Sequence, residues 1–349
     1  MQRRISSVVA AVAMTVALTT TTTSSAAASA ATGQQAVALP STTAADVVSA
    51  GDRVFVSGGR LSSQIVVAAA NGDVLTTVSG LPGPTDLLLS ADRQTLYVAL
   101  PTANAIAALN TGTLVEFARY DTGAGECPSS LALTGRHLWF GYGCDQWGGN
   151  IGRIDLGRQP AVVTTGMASH DYYGAPLLTA ATQNRTVLLA GQPSLSPASA
   201  HVYAIGAGGA LSLQHQNDWS VLGSNLRDIA LNPPGATVYT AAGAPYAVQA
   251  FPVTAISTPS TTYATGAYPI AVELSRDGAR VAAGASATYD PDVFVFAADG
   301  TEQVRYELGA ELVAGALAWS PNGARLYAVT ADWQGVAPAT LHVLTPPSA

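Results

Sequence analysis

The chain contains no lysine: all 15 of its basic residues are arginine in a sequence of 349. That absence excludes a P-loop lysine, a Schiff-base lysine and a kinase-type lysine. Charge is scarce altogether, at 11% against 48% hydrophobic residues. This is about half the usual charged share and excludes a disordered or coiled-coil chain. The 22 acidic residues outnumber the basic ones and set a net charge of -7, so nucleic acid is not an expected partner. Histidine occurs only at His137, His170, His201, His215 and His342. There is no His-Glu-x-x-His, no Gly-x-Ser-x-Gly elbow and no Cys/His cluster with metal-ligand spacing. No segment after the first thirty residues offers about 18 consecutive apolar residues free of Gly, Pro and charge, so no membrane-spanning helix is expected.

At the N-terminus, Arg3 and Arg4 precede an apolar run from Val8 to Leu18, a Thr/Ser-rich stretch and the small-residue sequence Ala28-Ser29-Ala30. The run is too short for a bilayer span and the whole reads as a secretory signal over residues 1–30. Its removal would take the mature net charge to -9, because Arg3 and Arg4 are its only charges. The paired arginines also raise twin-arginine export, but Ile5, Ser6 and Ser7 match that pattern poorly. A secreted or cell-surface protein is therefore expected.

Export allows the only two cysteines, Cys127 and Cys144, to cross-link. Ser130 to Leu133 and His137 to Tyr142 read as two strands joined by Thr134-Gly135-Arg136. Opposed residues of such a hairpin share a constant index sum, and the turn centre places it near 271, the sum of the two cysteine numbers. A disulfide across the open end is expected, contributing about 3 kcal/mol in the chain-entropy model. A metal pair or a catalytic thiol are the competing readings, and neither finds partner ligands at useful spacing.

The informative feature is an internal repeat. Seven segments align at a first strand and turn: Asp46-Val-Val-Ser-Ala50, Asp86-Leu-Leu-Leu-Ser90, Ser130-Leu-Ala-Leu-Thr134, Leu178-Thr-Ala-Ala-Thr182, Asp228-Ile-Ala-Leu-Asn232, Ala271-Val-Glu-Leu-Ser275 and Ala316-Leu-Ala-Trp-Ser320. Their starts are 40 to 50 residues apart. A polar or Gly/Pro turn and a second β-prone strand follow each, as in Ser320-Pro-Asn-Gly-Ala-Arg-Leu-Tyr-Ala-Val329. Third and fourth strands complete the units, with no helical periodicity. The pattern predicts an all-β, seven-bladed β-propeller of four-stranded antiparallel blades over residues 31–345, followed by a tail or linker at 346–349. The last unit lacks a fourth strand, and the apolar segment Gln35 to Leu39 is expected to supply it, closing the ring and covering a sheet edge.

The blade starts Gly83-Pro84, Cys127-Pro128, Ala175-Pro176 and Tyr268-Pro269, with the Ser-x-Asp/Asn-Gly-x-x-Leu/Val-Tyr-Val pattern, resemble YVTN-type propeller repeats across almost the entire mature chain. The layout also resembles the N-terminal propeller of secreted actinobacterial proteins that continue into immunoglobulin-like repeats. The resemblance specifies the fold and leaves function open, because related propellers include binding modules, lactonases and lyases.

Loops between second and third strands and between blades should gather on one face, the default binding site of such a fold. They are rich in aromatics and carboxylates: Asp145-Gln146-Trp147, Ser169-His170-Asp171-Tyr172-Tyr173, Asp218-Trp219, Tyr289-Asp290-Pro291-Asp292 and Asp332-Trp333-Gln334. Trp147, Tyr172, Tyr173, Trp219 and Trp333 are the expected ligand-contacting residues, and such rings beside amides and carboxylates suit carbohydrate. The same rings could instead cap blade junctions, with the aspartates making turns. Asp290 and Asp292 could hold Ca²⁺ or Mg²⁺ with Glu126, Asp145 or Glu311, and Asp-Pro-Asp is also ordinary turn chemistry. No catalytic residue is assigned; a lactonase-like or lyase-like enzyme would need a divalent ion and a base, for which His170 beside Asp171 is the candidate. The expectation is a monomeric extracellular binding module for carbohydrate or a surface protein, with a metal-dependent enzyme and a purely structural spacer as alternatives.

Overall fold

The computed structural model describes residues 33–348 apart from 146, 219, 267, 288 and 289. The expected signal segment therefore lies outside the described residues. Seven four-stranded antiparallel sheets follow one another in chain order, the first six with sequential strands as neighbours. Their inner strands are Asp46–Ser49, Leu87–Leu89, Ser130–Thr134, Leu177–Ala180, Ser224–Leu231, Pro269–Leu274 and Leu312–Trp319, and they define blades 1 to 7. In blade 7 the order is Gln34–Ala38, Thr340–Leu344, Leu326–Thr330, Leu312–Trp319. The N-terminal strand thus supplies the missing outer strand, with Gln34 opposite Leu344 and Ala38 opposite Thr340. It covers the third strand of blade 7, which would otherwise be the edge of that sheet.

Burial explains the sequence pattern of each blade. Second and third strands are covered by neighbouring blades on both faces, so Thr95–Leu100 and Ala105–Asn110 read as nearly unbroken apolar runs. The outer strand faces solvent on one side and alternates, as Glu116–Asp121 does. Apolar clusters fill each space between blades; Tyr97, Ile106, Leu131, Leu138 and Phe140 do so between blades 2 and 3. Each such large side chain contributes about 1.5–3 kcal/mol of transfer free energy.

The Ser-x-Asp/Asn-Gly signature is a side-chain network at the first turn. In blades 6 and 7 the hydroxyls of Ser275 and Ser320 donate to Asp277 and Asn322, and accept from the N–H groups of Arg280 and Arg325 at 2.9 Å. Polar groups that the tight turn would otherwise leave unpaired are thereby satisfied. The residue that opens the shared repeat segment has a different task in blades 1, 2, 3 and 5. Asp46 accepts the N–H of Leu87 at 2.8 Å, Asp86 that of Leu131, Ser130 that of Leu178 at 2.9 Å and Asp228 that of Val272 at 2.8 Å. Each bond clasps one blade to the next around the central channel.

Cys127 and Cys144 form a disulfide with Cα atoms 5.0 Å apart. The hairpin register pairs Ser130 with Gly141 and Thr134 with His137, so the cysteines continue the same ladder beyond its last rung. Trp139 and Tyr142 are buried, and the Trp139 indole donates to Thr134 Oγ1 at 2.7 Å.

Candidate binding face

Antiparallel order brings the loops between second and third strands to the same end of the ring as the loops between blades. Non-glycine residues with left-handed backbone gather there, among them Trp147 (φ 70°), Asn225 (φ 58°), Tyr246 (φ 66°) and Tyr268 (φ 53°). Such a conformation costs bulky residues energy and persists where surrounding structure holds it. Exposed aromatics coincide with it: Trp147 is 80% exposed, Trp333 82% and Tyr268 52%. Two cavities open among the described residues of this face.

The first, of about 580 Å³, lies between blades 3 and 4 and is lined by Trp147, His170, Asp171, Tyr172, Tyr173 and Gln192, with Ser199 and His201 at its side. The blade 3 loop is stitched to the inter-blade loop by reciprocal bonds, Gly149 N–H to Tyr172 O at 3.0 Å and Tyr172 N–H to Gly149 O at 2.7 Å. Gly149 is required at this crossing, since a Cβ there would overlap the Gly174 carbonyl. The Gln192 amide clamps the Tyr173 backbone, accepting from its N–H at 2.6 Å and donating to its carbonyl at 2.8 Å. Trp147 then meets Tyr173 edge-on, with ring centroids 4.7 Å apart. Two aromatic rings on a fixed backbone form one wall.

The remaining lining is polar at its surface and buried behind. Tyr172 is buried and shares a 2.8 Å hydrogen bond between its hydroxyl and that of Tyr203. Burial, then the neighbouring Tyr203, holds the Tyr172 phenol far above its ordinary pKa. The His170 and His201 rings lie 4.5 Å apart, and among the described residues His170 Nε2 and His201 Nδ1 are buried without a hydrogen-bond partner. Burial, then the His170 charge, lowers the His201 pKa to about 4; burial also lowers that of His170, against the attraction of Asp171. Burial thus favours the neutral form of both rings. Asn150 fixes the adjoining loop by donating to Asp171 Oδ1 at 3.1 Å and to the His170 carbonyl at 3.3 Å.

The second cavity, of about 430 Å³, opens at the channel mouth over blades 5, 6, 7 and 1, and Trp333, Tyr268, Arg227 and Glu311 stand on its rim. Four carboxylates at or beside the inner strands feel one another's charge. Burial, then the Asp86 charge, pushes Asp46 well above the ordinary range, and burial raises Asp86 as well. Asp228 is raised to about 7 and Glu273 to about 8, in both cases chiefly by burial.

Of the expected ligand-contacting residues, Trp147, Tyr172 and Tyr173 come together in the first cavity, Trp333 stands in the second, and Trp219 lies outside the described residues, as does Tyr289. Asp290 is exposed, whereas Asp292 is buried and accepts the Leu308 N–H at 2.6 Å, with burial raising its pKa to about 6. Among the described residues no group of three or more His, Cys, Asp or Glu is placed to hold a metal ion. His201, Gln192 and Arg227 line these cavities without having been expected to from the sequence. His201 and Gln192 sit within strands or at their ends, where only the pairing of blade 4 shows that they face the cavity. No described helix is long and apolar enough to cross a membrane.

No protein-family model matches the chain, and no curated protein matches it. Solved structures do. A chain of a structure described as the mitotic checkpoint complex is 13% identical over 97% of this chain and 98% of its own, with a TM-score of 0.70. The WD40 repeats of RRP9 are 12% identical over 92% and 99%, with a TM-score of 0.72. U3-55K is 12% identical over 90% and 99%, with a TM-score of 0.69. At such identities the likeness establishes the fold, and the chain is a seven-bladed β-propeller with WD40-repeat structural neighbours.

Proposed function

We propose that this propeller is a secreted binding module that takes carbohydrate in the cavity between blades 3 and 4, and that its repeats are of the YVTN type. The observation that carries the carbohydrate reading is the pair of the exposed Trp147 and Tyr173, held edge-on at 4.7 Å by the Gln192 clamp in a cavity that Ser199 and His201 also line. An exposed indole offers a flat apolar face to the C–H side of a sugar ring, and the Ser199 hydroxyl and His201 imidazole that share the cavity pair with its hydroxyl groups. The volume is within the range of small-ligand sites. The neutral imidazoles suit an uncharged ligand better than an anion.

The test is isothermal calorimetry of the mature chain with a panel of soluble cell-wall and plant oligosaccharides, repeated with Trp147→Ala. Binding by the native chain and loss of about tenfold or more in affinity in the variant, with an unchanged thermal transition, is the expected result. A native chain that binds no glycan on the panel, or a variant that binds as well as the native chain, would overturn the reading.

A further inference from the structure

Inner strands pair with second strands without interruption in blades 1 to 4. In blades 5, 6 and 7 the register shifts: between Leu226 and Asp228, between Pro269 and Ala271, and between Leu312 and Leu317. A bulge re-aims the extra residue that it inserts. Here the inserted residues are Arg227, Ile270 and, in the longest bulge, Val313 among others, and all three line the channel-mouth cavity. Three consecutive blades therefore depart from the repeat at the same height and deliver their extra side chains to one space. Closure of the ring does not require this, since four blades close without it.

The chemistry delivered is bipolar. Ile270 and Val313 make an apolar floor, and Tyr268 and Trp333 stand exposed beside it. Arg227 and Glu311 share this cavity with opposite charges, yet among the described residues neither takes part in an ion pair. Among the described residues, Glu311 accepts a single 3.4 Å side-chain bond, from Ser286. Asp332, the other carboxylate here, is committed to its own loop, accepting the N–H groups of Gln334, Val336 and Ala337. Asp228, beneath Arg227, is likewise occupied by the N–H groups of Ile229 and Val272.

We infer that the channel mouth over blades 5 to 7 is a second binding site, taking a small zwitterion with an apolar side group, of the size of an apolar amino acid or dipeptide. Arg227 receives its carboxylate, Glu311 its ammonium group, and the floor of Ile270 and Val313 its side group. The guanidinium fork matches a carboxylate with two parallel hydrogen bonds. The cavity volume of about 430 Å³ accommodates a ligand of this size. The site is separate from the cavity between blades 3 and 4 and does not depend on the carbohydrate reading.

Calorimetry with L-leucine, L-leucyl-L-leucine, N-acetyl-L-leucine and L-leucinamide tests it. The free amino acid or the dipeptide should bind, and the acetylated and amidated forms, each missing one charge, should bind about 10- to 100-fold more weakly. Arg227→Gln should abolish the preference for leucine over leucinamide, and Glu311→Gln the preference over N-acetyl-leucine. Both residues are exposed, and an unchanged thermal transition would show that the variants fold. Trp147→Ala should leave these affinities unaltered, which separates this site from the first. No binding of any of the four by the folded native chain, or equal leucine affinity in native and Arg227→Gln proteins, would overturn the inference.

Discussion

Asp228→Asn should remove one component of the pH dependence of stability. The carboxylate accepts the N–H groups of Ile229 and Val272, each at 2.8 Å, and burial, with a lesser contribution from Asp86, raises its pKa from 3.8 to about 7. Between these values the native chain holds a proton that the unfolded chain has released. The stability contributed by this group is fully present below 3.8 and is lost as pH rises through about 7, at up to about 1.4 kcal/mol per pH unit. The whole shift corresponds to about 4 kcal/mol, and partial contact with solvent in the channel reduces the expected figure to about 2–3 kcal/mol. Asparagine keeps one acceptor for two donors, so the variant should be less stable by about 1–2 kcal/mol in acid and should then draw level with or overtake the native protein near pH 8. His201 and His342 run the other way: burial lowers both to about 4, so their contribution is present above the unfolded value of 6.5 and is lost as pH falls through about 4. The two slopes mask each other in the native profile, which makes the difference between native and variant the quantity to follow. Urea unfolding of both at several pH values measures it. A difference that stays constant from acid to neutral pH would refute the raised pKa.

Three further outcomes follow from the geometry. Reducing the Cys127–Cys144 bridge, or replacing both cysteines by serine, should cost about 3 kcal/mol, read as a lower denaturation midpoint with an unchanged far-ultraviolet spectrum. Gly149→Ala should part the two loops that meet over Gly174, destabilise the chain by about 1–3 kcal/mol, and raise hydrogen exchange at Tyr172 before the rest of blade 4. Removing the strand Gln34–Ala38 uncovers the edge of Thr340–Leu344 and should produce concentration-dependent association detectable by light scattering; a variant that remains monomeric with an unchanged melting temperature would show that the closing strand does not hold the ring.

The fold was legible because its constraints are local and repeated. A hairpin fixes an index sum, and Cys127 and Cys144 obey it. A propeller missing one strand must find it elsewhere, and only the segment near Gln35 was apolar and unassigned. Inner strands shifted by a residue or more from their aligned starts, as at Leu177 and Ser224, because alignment of a short apolar run tolerates a slip that pairing does not. The aligned aspartates at Asp46, Asp86 and Asp228 looked like the start of a strand pattern. Their role as clasps was not visible, because the accepted N–H belongs to a residue more than forty positions away in the next blade.

The binding face was less legible for a physical reason that the two cavities share. Trp147, Tyr173 and Trp333 announce themselves as large rings in polar loops, and the structure displays all three. His201 gave no such signal, since a histidine in the third strand of blade 4 becomes a cavity wall only when Tyr172 and His170 arrive from the preceding inter-blade loop. Arg227, Ile270 and Val313 are harder still. Each falls just before the segment that the repeats share, and a register shift, which no composition or period encodes, turns it toward the channel. Repetition makes the seven blades readable and hides the places where they differ. A ring of equivalent blades would present an equivalent surface all round, and both proposed sites lie where the equivalence breaks: at the Gly149 crossing between blades 3 and 4, and at the bulged strands of blades 5 to 7.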